Sequence, residues 1–141
     1  MSKTINTKID DGILTFTFTN NQDEIFASFR LNPTDVNVAA RAEEVSEFFE
    51  NLEDSVKDVK STKEAAKLNE LIQDKINYLL GYEASKDLFK EPITATTVFG
   101  NGQMFANIVL DKVADAIAPE IEKRKKKMQA AVNKYTEKYT K

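Results

Sequence analysis

A chain of 141 residues, 41% hydrophobic and 30% charged, suffices for one domain with a buried core and is short for two. It has no histidine and no cysteine, which removes Ser-His-Asp and Cys-His catalysis, thiolate metal sites and disulfides together. The net charge of −3 hides a division: residues 1–119 carry 12 basic and 20 acidic side chains, whereas residues 120–141 carry 8 and 3.

That division fits either a basic tail helix lying beside an acidic one or a charged partner. The start, Met1 to Asn6, has no apolar stretch of the kind a signal peptide needs, and no run reaches the ~18 apolar residues of a membrane span. A soluble, cytoplasmic protein without a membrane contact is expected. The carboxylates fall in turns or on solvent-facing helix positions, so no catalytic residues, no metal and no cofactor are expected.

The first 32 residues read as β-rich. Leu14, Phe16 and Phe18 alternate with threonines, a period of two in aromatic and β-branched residues. Asn20 to Asp23 is turn chemistry, after which Ile25, Ala27, Phe29 and Leu31 alternate again. Upstream, Ile5 to Ile9 runs into Asp10-Asp11-Gly12, a hairpin signal, so an antiparallel meander of about three strands is predicted. A sheet that small needs helices to cover its apolar face.

Residues 34–60 and 61–81 read as a helical hairpin. Thr34 or Asp35 caps the first helix, in which Val38, Ala42, Val45, Phe49, Leu52, Val56 and Val59 form a heptad seam backed by an acidic face. Ser61-Thr62-Lys63-Glu64 is a capping box for the second, and Gly81 ends it. With so short a connection, the seam is expected to pair within the chain rather than with a second copy.

Residues 93–102 read as an extended run and turn, and 103–141 as kinked C-terminal helices broken at Pro119. Ile121, Met128, Val132, Tyr135 and Tyr139 share one stripe of the last helix, opposite Arg124, Lys126 and Lys127. The single domain 1–141 is thus predicted as α+β, a small sheet packed on three to four helices. Gly100-Asn101-Gly102 has two glycines of a dinucleotide fingerprint but neither the third nor the βαβ setting, so nucleotide binding is discounted. The basic run from Lys123 to Lys127 lacks interleaved aromatics and sits in a chain of pI near 5.1, which argues against nucleic acid.

The segment from Lys67 to Phe89, the run Ala95-Thr96-Thr97-Val98-Phe99-Gly100-Asn101-Gly102-Gln103-Met104-Phe105, and Pro119-Glu120-Ile121-Glu122-Lys123-Arg124 resemble the tail assembly chaperones of siphophages and prophages of Gram-positive bacteria. The resemblance covers roughly residues 60–141 and rests on packing residues. It implies a non-enzymatic protein that binds the tape measure protein, recruits the major tail (tube) protein, and acts in the bacterial host cytoplasm without entering the mature virion. It also admits a homo-oligomer. The rival readings are a structural tail or neck subunit of the virion and a helical adaptor unrelated to tails. For a partner-binding edge, the residues of choice are Phe99, Met104, Phe105 and Ile108, with Lys123, Arg124, Lys126 and Lys127 supplying charge. General burial preferences instead favour the core for the four apolar ones.

Overall fold

The computed structural model describes residues 2–139, with side chains through Glu137; the side chain of Tyr139, expected on the tail stripe, lies outside the described residues. The chain is α+β. Strands β1 (Leu14–Thr19) and β2 (Ile25–Leu31) are followed by α1 (Val36–Glu50), α2 (Leu52–Lys57), α3 (Thr62–Leu80), the short α4 (Ser85–Leu88) and the long α5 (Phe105–Tyr139).

The sheet has two antiparallel strands, not three. The hairpin turn expected at Asp10-Asp11-Gly12 does not form; the two carboxylates make only local contacts, accepting the backbone N–H groups of Gly12 and Ile13, each at 3.0 Å. The run before it does not come back to pair. Ile5 and Ile9 are its only large apolar residues and both stay exposed, so the arm has too little to bury to repay the cost of ordering it.

Within the hairpin, Phe16 lies opposite Phe29 and stacks on it at 4.7 Å between ring centroids, while the threonines face solvent. The expected alternation fails at the start of β2. Phe18 pairs with Ala27 but Thr19 pairs with Ile25, so Phe26 is an extra residue in a bulge. The bulge shifts the side-chain phase. Ile25 turns out to solvent at 65% exposure, and Phe26 turns in against Phe18, Phe99 and Phe105.

The heptad seam from Val38 to Val59 is carried by two helices rather than one. α1 ends at Glu50 and α2 restarts at Leu52 across Asn51, whose N–H still bonds the Glu47 carbonyl at 3.2 Å. Val38, Val45 and Leu52 are buried on either side of the break, so the apolar face is continuous although the helix is not. Of the two candidate caps for α1, Asp35 is used: its carboxylate accepts the Asn37 N–H at 2.8 Å.

α3 opens on the expected box, with the Ser61 hydroxyl accepting the Glu64 N–H at 3.1 Å; the Glu64 carboxylate reaches back one residue further than expected, to the Lys60 N–H. It closes on Gly81 at φ +82, where a Cβ would meet the Arg41 guanidinium at 2.9 Å. That guanidinium belongs to the C-terminal cap, since Arg41 Nε donates to the Leu79 carbonyl at 3.2 Å. Tyr78 donates to Glu44, and Lys75 lies over the Phe48 ring. Contacts that run 41 to 79, 44 to 78 and 48 to 75 make α1 and α3 antiparallel, the hairpin the sequence predicts. Tyr82, just after Gly81, accepts the Arg30 N–H at 2.7 Å and so covers the outer edge of β2.

α5 runs unbroken from Phe105 to Tyr139, where two or more helices kinked or restarted at Pro119 are expected. Its first half carries the core residues Phe105, Ala106, Val109, Val113 and Ile117. Among the described residues there are five helices, α5 included, where three to four are predicted.

Candidate functional site

The Thr-rich run has a structural task that its composition does not reveal. Thr97 Oγ1 accepts the Thr94 N–H at 2.9 Å, folding the run into a turn. The Gly-Asn-Gly bend is closed by Phe99 N–H to Gln103 O at 3.0 Å and Gly102 N–H to Phe99 O at 2.9 Å, with Gly102 at φ +83. The carbonyls of Thr97 and Ala95 then accept the N–H groups of Phe105 and Ala106, at 2.8 and 2.9 Å. The first turn of α5 is therefore capped by main chain, and these two donors are not available to an external carboxylate.

This cap seats Phe105 at the centre of an aromatic cluster. Its ring lies 5.2 Å from Phe18, 5.3 Å from Phe99, 5.5 Å from Phe89 and 5.8 Å from Phe26, with edge-to-face geometry to the first three. Such offset pairs add about 0.5–1.5 kcal/mol each beyond their buried area. On the outer side the cluster opens into a groove of about 550 Å³. Phe18, Phe26, Ile93, Phe99 and Ile108 wall it, and Thr19, Asn20, Asn21, Gly100 and Asn101 form its lip. An apolar floor with a few hydrogen-bonding groups at the margin is the ordinary build of a side-chain-binding groove.

The four apolar residues chosen from the sequence divide here. Phe99 and Ile108 are half-buried and wall the groove. Phe105 has no exposed surface and Met104 is 8% exposed, so both are core: Phe105 underlies the groove, and Met104 bridges to Val98 across the bend. Neither offers surface to a partner while the fold is intact. The basic residues lie elsewhere. Lys123, Lys126 and Lys127 are exposed, and Arg124 is half-buried three residues after Ile121, beside the apolar stripe and not opposite it. Sixteen residues of helix separate Ile108 from Arg124, roughly 24 Å. The predicted edge is thus two places: an aromatic groove and a basic tail.

Sequence reasoning misses Phe18, Phe26 and Ile93 as groove residues. Phe18 carries a strand signal only, and Phe26 reads as the wrong face until the bulge is known. Among the described residues, no group of three or more acidic residues is placed to hold a metal ion, and no helix is long and apolar enough to cross a membrane. No family model, no curated protein and no solved structure matches the chain.

Proposed function

We propose that the chain is a non-enzymatic tail assembly chaperone that holds the tape measure protein and recruits tail tube subunits in the cytoplasm of a bacterial host, and is absent from the finished virion. The observation that carries this reading is the open aromatic groove over Phe105. A long amphipathic client presents apolar side chains at helical spacing, and a groove of this size with an amide-bearing lip accepts one or two of them without sequence-specific contacts. The resemblance of residues 60–141 to such chaperones supplies the client class.

The test is co-expression with the long helical protein encoded downstream, followed by capture on a tag. The wild-type chain is expected to retain it. The double variant Phe99→Ala/Ile108→Ala is expected to fold and to lose most of it. A folded double variant that captures as well as wild type removes the groove from the reading, and a wild-type chain that captures nothing removes the chaperone. Mass spectrometry of purified particles is expected to find no copy of the chain; finding it at tail stoichiometry favours a structural subunit.

A further inference from the structure

The charge division has a place in the fold. Residues 36–58, which make α1 and α2, hold seven carboxylates against two basic side chains; residues 120–141 hold eight basic against three acidic. Between α1 and the first half of α5 lies a second groove, of about 470 Å³. Ala42, Val45, Phe49, Leu110, Val113 and Ile117 give it an apolar floor, and Glu50 and Asp111 stand in its lining. Glu43 and Glu47 precede Glu50 at helical spacings of four and three, so the acidic side chains run as one stripe along the α1 margin, and all three are exposed. Asp115 follows Asp111 by one turn on the other helix.

The tail of α5 has the complementary character. Ile121, Met128, Val132 and Tyr135 recur at seven, four and three, and Arg124 and Lys125 flank that stripe. Every described side chain from Lys125 to Glu137 is exposed, Met128 at 69%. Among the described residues, the ion pairs of the tail go to Glu120 and Glu122 on the same helix, and none reaches α1 or α2. The tail cannot reach its own groove, because the helix that walls the groove up to Ile117 continues straight into the tail. Residues 122–139 carry it roughly 27 Å onward, and a proline kink does not reverse a helix.

We infer that the basic tail helix of one copy seats in the acidic groove of a second copy. The contact joins two different surfaces, so it does not stop at a dimer; it propagates into a ring or an open helical string. This inference stands apart from the client reading, since it uses neither the aromatic groove nor the tape measure protein.

Light scattering on the full chain tests it. Mass is expected to rise with concentration in low salt. It is expected to fall to the 15.9 kDa of one chain as salt rises, from about 0.01 M to about 1 M, which shortens the screening length from ~30 to ~3 Å. Two charge reversals, Glu43→Lys/Glu47→Lys/Glu50→Lys and Arg124→Glu/Lys125→Glu/Lys127→Glu, are each expected to be monomeric alone and to assemble when mixed. Should the rim variant not fold, the tail variant mixed into wild type serves instead: it accepts a tail but offers none, so it ends growing assemblies and lowers the mean mass. A wild-type chain that stays at one-chain mass up to millimolar concentration in low salt overturns the inference. So does assembly that survives the rim reversal, the outcome expected of tails pairing with tails.

Discussion

The two halves of α5 share one helix and one hydrogen-bonding pattern, yet different forces hold them. From Phe105 to Ile117 every third or fourth side chain is buried, and the first turn is capped by the Thr97 and Ala95 carbonyls. From Lys125 onward the described side chains are exposed, and the ion pairs at the junction are the weak local ones of Lys123 with Glu120 and Lys125 with Glu122. Exposed pairs of that kind contribute about 0.3–0.5 kcal/mol each, and a stretch of this length is marginal as an isolated helix. Helix in the first half is a consequence of packing; in the second it is a consequence of being attached to the first.

The sharpest way to break that contrast is Phe105→Ala. It empties the centre of the aromatic cluster and is expected to cost about 3–5 kcal/mol, read as a lower urea midpoint, with both halves losing helix together. Pro119→Ala acts at the junction. It restores an N–H for the Asp115 carbonyl and removes the ring clash, so the tail helix is expected to gain up to about 3 kcal/mol locally. Slower amide exchange between residues 120 and 137 would show it, with little change in the global midpoint. Met128→Ala removes an exposed side chain and is expected to move global stability by less than about 0.5 kcal/mol; a larger loss in dilute solution would mean that the tail is already covered.

The smallest effect lies away from α5, at the α1–α3 surface. The hydrogen bond from the Tyr78 hydroxyl to Glu44, followed by burial and the neighbouring carboxylate charge, raises the Tyr78 pKa above its ordinary value of 10.0. A raised value stabilises the fold fully below the ordinary pKa and loses that contribution as pH climbs through the folded one. Tyr78→Phe is therefore expected to lower the urea midpoint slightly across the neutral range, where the contribution is fully present, and to flatten its dependence on pH above about 10.

Local chemistry was legible from the residues. The Leu14-Phe16-Phe18 alternation, the Ser61 and Glu64 box and the Gly81 stop each rest on a preference that a few neighbours express. What was not legible depends on distant partners. Nothing in Ile25-Phe26-Ala27 announces a bulge; it is the aromatic cluster that makes an inward Phe26 favourable. Asn51 interrupts a seam that still buries Leu52, because packing on the core does not require one unbroken helix. The arm around Ile5 and Ile9 has a strand pattern without enough apolar surface to pair. At the candidate site, Phe99 and Ile108 line the groove, whereas Phe105 and Met104 are core, and the deciding fact was the main-chain cap that pulls Phe105 inward.

That cap constrains the chain in an unusual way. Because carbonyls of residues 95 and 97 do the work, the side chains of Thr94 and Thr96 can be exchanged for others of similar size without unseating α5, whereas Thr97 must keep the hydroxyl that accepts the Thr94 N–H and Ala95, with no exposed surface, must stay small. The spacing is another matter. Two bonds leave the run at 95 and 97 and reach 106 and 105, so adding or removing a single residue between Ala95 and Thr97 puts one of them out of register with the other. The stretch tolerates substitution and resists changes of length, the reverse of what loops at a surface ordinarily allow.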